Sequence, residues 1–423
     1  MFKKQYLIFF LFLFGIQLNV ISASLLIPMD KAQTNHLKSY GLAFWVLQKG
    51  VEIEWLLNYR GGSYLIPYHE VIENECIVRN ISYEVVSNVQ ASSIIQQIAE
   101  PDVNMEVMQL HKVPKIAVYS PKNKQPWDDA VTLALTYAEI PYDIVYDEEV
   151  ISGLLPTYDW LHLHHEDFTG QYGKFWAAYR AFPWYQEDVR LSEEMANKLG
   201  FRKVSDLKLA VAKKIQEFVL GGGYLFAMCS ATDSYDVAMA ADQVDICDVM
   251  FDGDPMDPNA QSMLNYNNCV AFQDFTLVTN PSEYEISNID VTRSRPRSLN
   301  QSNDYFSLFE FSAKWDHIPT MLTQNHEKII KGFMGQTTAF NKNLIKTNVL
   351  VLGENKVVNE ARLIHGEYGK GFWTFYGGHD PEDYQHRIGD PKTDLNLFPN
   401  SPGYRLILNN ILFPAAKKKE RKT

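Results

Sequence analysis

The strongest constraint on the fold is a short apolar run held between two helix signals. Residues 221–241 read GGGYLFAMCSATDSYDVAMAA. Three glycines, Gly221, Gly222 and Gly223, stop an amphipathic pattern at 207–220, the run 224–228 is apolar, and a second helical pattern starts near Tyr235 after small polar residues. The spacing predicts helix, strand, tight turn, helix. In open α/β sheets the working crevice lies beyond the carboxyl ends of the strands, which places Cys229 at such an edge.

The same rhythm extends on both sides of that run. An apolar strand is expected at 115–119 and a helix at 127–139, with Ala130, Leu133, Ala134 and Tyr137 on one face. A strand at 143–146 and a third at 158–167, which ends in His164, His165, Glu166 and Asp167, follow. Strands alternating with helices at this spacing imply a parallel, doubly wound sheet. Near the carboxyl end, runs at 361–368 and 371–376 flank Gly369-Lys370-Gly371, a hairpin signal, and a helix is expected at 404–413.

Residues 24–112 read differently. Short runs at 42–47, 51–59 and 63–67, rich in aromatic and β-branched residues, are separated by Gln-Lys-Gly and Arg-Gly-Gly, and 77–86 offers another strand. The expectation is a small β-rich amino-terminal domain before an α/β domain at 113–416. Residues 1–23 carry Lys3 and Lys4, an apolar run and small residues, the pattern of a signal peptide cleaved after Ala23 or Ser24. An exported protein, periplasmic or extracellular, with no membrane span after cleavage is expected; residues 417–423 form a basic tail.

Four cysteines, Cys76, Cys229, Cys247 and Cys269, are too few for a disulfide scaffold, although one bridge, Cys247 to Cys269, is open. A net charge of −12 argues against nucleic acid as a partner. Between Lys214 and Arg293 there is no basic residue, while Asp242, Asp245, Asp248, Asp252, Asp254 and Asp257 fall there; they form either a solvated rim or a cation site.

Three constellations carry chemistry. Cys229 has the place of a nucleophile on a strand-to-helix elbow, with Ala227 and Ala231 as the small residues two before and two after it; a buried core cysteine is the alternative. An imidazole neighbour and a helix N-terminus would lower its pKa. The cluster His164, His165, Glu166 and Asp167 can bind substrate, cap the next element or hold a metal; adjacent strand residues rarely reach one ion, so no metal and no cofactor is expected. After Gly377 and Gly378, His379 is placed as a base, with Asp380 or Glu382 to orient its ring.

The strand at 115–119, the elbow at Cys229, the Gly-Lys-Gly hairpin, the Gly-Gly-His379-Asp run and the final helix together resemble the class I glutamine amidotransferase-like superfamily, notably its ThuA-like branch, over 113–416. The resemblance implies a flavodoxin-like doubly wound sheet, with Cys229 as nucleophile, His379 as base and Glu382 as third member, one residue further from the histidine than the usual pattern. The chain is also similar to exported bacterial proteins carrying the name asparagine synthetase B. On these grounds the expected activity is hydrolysis of an amide or related acyl bond, with Ser230 N–H completing an oxyanion site. The alternatives are a non-catalytic module binding a sugar or peptide in the same crevice, and a glutamine-hydrolysing asparagine synthetase using Ser230-Ala231-Thr232-Asp233-Ser234 as its pyrophosphate loop.

Overall fold

The computed structural model describes residues 23–123, 125–295, 299–316 and 320–417. The leader up to residue 22 and the basic tail after Lys417 lie outside the described residues. Ala23 and Ser24, where cleavage was expected, open strand β1 (Ala23–Ile27), paired with Ser87 and Pro67 respectively. Then follow α1 (His36–Gln48), β2 (Ile53–Leu57), β3 (Ser63–Pro67), α2 (Glu70–Val78), β4 (Glu84–Ser87), α3 (Asn88–Ala99) and β5 (Glu106–Leu110). Their strands form an antiparallel sheet in the order β4-β1-β3-β2-β5.

Two expected strands of this unit are corrected. Residues 42–47 lie inside α1, whose start is set by Asn35, its side chain accepting from the Lys38 N–H. The helix buries Leu37, Tyr40, Phe44 and Leu47 in the core it shares with α4 and α12 residues described below, so tertiary packing overrides the local β-propensity of LAFWVL. Residues 77 and 78 close α2, and a turn through Asn80 at φ 56° separates them from β4. The unit is therefore α/β rather than β-rich.

The rest of the chain runs β6 (Ile116–Tyr119), α4 (Ala130–Ala138), β7 (Asp143–Val145), α5 (Asp147–Ile151), β8 (Trp160–Leu163), α6 (Trp176–Tyr179), α7 (Pro183–Lys198), α8 (Val204–Gly221), β9 (Tyr224–Met228) and α9 (Ser230–Ala240). Two one-turn helices, α10 (Val249–Asp252) and α11 (Ala260–Met263), lead to β10 (Tyr305–Leu308), β11 (Ile329–Lys331), β12 (Phe340–Asn341), β13 (Leu350–Asn355), β14 (Glu360–Tyr368), β15 (Gly371–Tyr376) and α12 (Pro402–Leu412). One mixed sheet runs β11-β10-β13-β14-β15-β9-β8-β6-β7, with β12 on β14. The stretch β15-β9-β8-β6-β7 is parallel and the stretch β11-β10-β13-β14-β15 antiparallel.

Strand β9 shows why this sheet is buried on both faces. Tyr224, Phe226 and Met228 enter one core with residues of α1, α4 and α12, while Leu225 and Ala227 enter the other with α8 and α9. Gly222, at φ 119°, stops α8 in a backbone conformation that favours glycine and turns the chain into β9. No helix among the described residues is long and apolar enough to cross a membrane.

All four cysteines are free, so the Cys247 to Cys269 bridge does not form. Cys247 Sγ donates to the Thr169 carbonyl and Cys269 Sγ to that of Asp236. Part of the acidic segment is paired from α8 and its approach: Lys203 Nζ meets Asp245 at 2.5 Å, Asp252 at 2.9 Å and Asp254 at 2.5 Å, and Lys213 meets Asp242 at 2.9 Å.

Candidate functional site

Parallel pairing brings four strand ends to one edge. Tyr376 pairs with Met228 and Leu163 with Ala227, so the residues that follow β15, β9 and β8 leave the sheet side by side. Cys229 follows β9, His164 and His165 follow β8, and Gly377 to His379 follow β15. Asp128 and Asp129 lie between β6 and α4, for which Asp129 is the N-cap, its carboxylate accepting from the Thr132 N–H.

Cys229 occupies the elbow. It has φ 51° and ψ −139°, a strained region for a residue with a Cβ, and α9 starts at the next residue. Its N–H donates to the Gly378 carbonyl at 3.2 Å, which ties the elbow to the turn after β15. Its Sγ accepts from the Gln336 N–H at 3.4 Å. Burial pushes the thiol up to about 11, against the backbone N–H groups of Gln336, Ser230 and Thr337 that favour the anion. The expected lowered pKa is thereby corrected: removal from water outweighs the donors, and the resting group is a thiol.

Two imidazoles from the turn after β8 lie close to the sulfur. A ring nitrogen of His164, one of His165 and Cys229 Sγ lie within 4.8 Å of one another. His164 Nδ1 is 3.3 Å from Asp129 Oδ2, and His162 Nε2, on the same strand face, is 3.1 Å from that oxygen. Burial raises the Asp129 carboxyl, but the two imidazoles outweigh it and hold the group well below the carboxylate range. His165 Nε2 donates to the Asp128 carbonyl at 2.7 Å, and burial keeps its ring well below the ordinary histidine range, so it is neutral.

His379 does not complete the expected triad. Its ring packs against His164 at 4.7 Å, His165 at 4.8 Å and His386 at 4.1 Å, yet neither ring nitrogen has a hydrogen-bond partner among the described residues. Glu382 does not orient it: the extra residue before Glu382 turns its carboxylate to Ser401. Asp380 is engaged by the Glu382 N–H and by Thr393 Oγ1. What the edge brings together instead is Asp129, His164 and Cys229.

The other expected substrate-binding residues divide. Ser230 Oγ donates to the His165 carbonyl, leaving its N–H to face the sulfur. Glu166 Oε2 accepts from the His164 N–H, and burial pushes this carboxyl up to about 8. Asp167 closes a turn, accepting from Thr169 and from the Gly173 N–H. The segment Ser230 to Ser234 is wholly buried in the first turns of α9, with Asp233 accepting from Thr337 Oγ1 and Ser234 Oγ donating to the Glu166 carbonyl.

A cavity of about 630 Å³ opens onto this edge. Cys229, His165, His379 and His386 line it, and Trp127, Phe175 and Tyr179 give it an aromatic side. Sequence reasoning missed Asp128, Asp129, His386 and Gln336. The Trp-Asp-Asp run at 127–129 carried a helix-start signal, and His386 follows His379 by seven positions in the loop after β15. Nothing in the local sequence marks Gln336.

No family model and no curated protein matches the chain. Among solved structures, a cytoplasmic protein from Salmonella typhimurium LT2 is similar at 12% identity and a TM-score of 0.36, covering 72% of this chain and 100% of that one. A second cytoplasmic protein from Salmonella typhimurium is similar at 13% identity and a TM-score of 0.34, over 72% and 100%. A β-galactosidase from Bacillus circulans sp. alkalophilus is similar at 10% identity and a TM-score of 0.24, over 62% of this chain and 28% of that one. Likenesses this loose leave the chemistry to the site itself.

Proposed function

We propose that the protein is an exported hydrolase of an amide or related acyl bond, with Cys229 as nucleophile. The observation that carries this reading is the thiol on a strained strand-to-helix turn, among backbone N–H donors, beside an imidazole facing the partly buried Asp129 carboxylate at 3.3 Å. His164 takes the Sγ proton as sulfur attacks the carbonyl carbon, with Asp129 orienting the ring and balancing the imidazolium. The resulting oxyanion meets the N–H groups of Gln336 and Ser230. Collapse forms a thioester and releases the amine or alcohol with a proton returned from the imidazole; water then hydrolyses the thioester. Because the resting sulfur is a thiol, proton removal accompanies attack, which is the role of a base poised at its side.

The parallel strands taken in chain order, β6, β7, β8, β9 and β15, lie as second-first-third-fourth-fifth, the flavodoxin-like order, with the site at their carboxyl edge. That order supports an amidotransferase-like α/β domain of the ThuA-like kind. The aromatic side of the cavity suits the apolar flank of a peptide or the face of a sugar, and it equally favours the second reading, a binding module without turnover.

The two readings separate on acyl transfer. Incubated with p-nitrophenyl acetate, the native protein is expected to release a burst of nitrophenol and to carry one acetyl group on the Cys229 peptide by mass spectrometry. Cys229→Ser should lose the burst, and His164→Ala should slow it by about 10²-fold or more. A protein that is never acetylated at Cys229, or a burst that survives Cys229→Ser, would leave the binding module as the better account.

A further inference from the structure

Beside the thiol and its base, a second group of side chains has no role in the acyl chemistry. Asp128, His379 and His386 each offer a donor atom, and the three lie within 4.8 Å of one another. They are deeply buried: Asp128 is 7% exposed, His379 5%, and the His386 side chain 5%. Asp128 Oδ2 and both ring nitrogens of His379 lack a hydrogen-bond partner among the described residues, while Asp128 Oδ1 and His386 Nε2 face each other at 3.2 Å. Buried polar atoms are almost always partnered, so three unpartnered ones converging beside the Asp128–His386 contact point to a ligand that supplies what the chain does not.

The surroundings fix what kind of ligand. His386 Nδ1 donates to Asp383 Oδ2 at 3.0 Å, and its Nε2 faces Asp128 Oδ1 at 3.2 Å. A carboxylate behind a histidine is the arrangement that orients metal-binding imidazoles. His379 and His386 lie with parallel rings 4.1 Å apart. Two imidazoles and one carboxylate form a donor set for a divalent cation of borderline softness, beside the cavity that His379, His386 and Cys229 line.

We infer that Asp128, His379 and His386 form a binding site for a divalent transition cation of the zinc type, with Asp383 as the positioning residue behind His386. The site stands apart from the set of His164, His165 and Cys229, whose ring and sulfur atoms are also close enough to share an ion. It does not rest on the acyl-transfer reading and would serve a binding module as well as an enzyme.

The test uses Zn²⁺ and the full chain. After stripping with chelator and dialysis, calorimetric titration with Zn²⁺ is expected to give one equivalent per chain. Asp128→Asn and His386→Ala should each weaken binding at least tenfold, and Asp383→Asn about tenfold or more through ring orientation. Cys229→Ser should leave affinity and stoichiometry unchanged, and Co²⁺ in the native site should show no thiolate-to-metal charge-transfer absorption. Circular dichroism of each variant without metal separates loss of binding from loss of fold. Absence of binding in a folded native protein overturns the site. So does binding that survives Asp128→Asn but fails in Cys229→Ser, which would move the ion to the thiol.

Discussion

Beneath the elbow, Asp233 in the first turns of α9 is 2% exposed and faces Thr337, with the Asp167 carboxylate as a like charge nearby. Burial pushes the Asp233 carboxyl up to about 7, while an unfolded aspartate titrates near 3.9. The folded chain therefore holds this proton more tightly than the unfolded one. The contribution to stability is present in full below about pH 4 and is lost as pH rises to about 7. Asp233→Asn keeps an acceptor for Thr337 and removes the titration. Relative to the native protein, the variant should gain on the order of 2–3 kcal/mol between pH 5 and pH 8. Urea unfolding at the two pH values measures the difference; a gap that does not widen with pH would mean that Asp233 folds ionised.

Among elements, the loop before β12 and the turn after β15 are pressed together to make the site. A Cβ on Gly335 would lie 2.7 Å from the His379 nitrogen and 2.8 Å from the Gly378 carbonyl carbon, both backbone atoms that cannot swing aside. The same loop delivers the Gln336 N–H to Cys229 Sγ. Gly335→Ala is expected to cost about 1–3 kcal/mol by denaturant unfolding. Gly221→Ala, at the end of α8 with nothing within 4 Å, should be neutral or stabilising by up to about 1 kcal/mol. Equal effects of the two substitutions would show that the loop and the turn are not packed as described.

At the scale of the whole molecule, the final helix joins the amino-terminal sheet to the large one. Arg405 on α12 is fully buried; its guanidinium donates to the Met29 carbonyl at 2.8 Å, to Tyr40 Oη at 3.0 Å and to the Gly61 carbonyl. Replacing it by methionine fills similar volume but removes the donor to the Gly61 carbonyl and leaves the Met29 carbonyl to His36 Nε2 alone, in a core that draws on both sheets. Arg405→Met should lower stability by about 2–5 kcal/mol while unfolding stays a single transition, read by urea titration followed by circular dichroism and by tryptophan fluorescence. Two separated transitions in the native protein would instead mean that the sheets unfold independently.

By itself the sequence determined the alternation of strands and helices from β6 to α9, the span of β9, the hairpin of β14 and β15, and the arrival of Cys229, His164, His165 and His379 at strand ends, but not the antiparallel half of the sheet, β10 to β13, where a parallel sheet was expected. These follow from local periodicity and from glycines at turns, which act over a few residues. Only the tertiary structure decided that residues 42–47 are helical, since the packing of α1 against α4 and α12 is non-local. It also decided that Asp129 pairs with His164, that Glu382 turns away from His379, and that Asp128 and His386 meet although 258 positions apart, because register between strands sets which distant loops share an edge. The state of the thiol was decided the same way: helix position argues for an anion, and burial, a property of the assembled core, outweighs it.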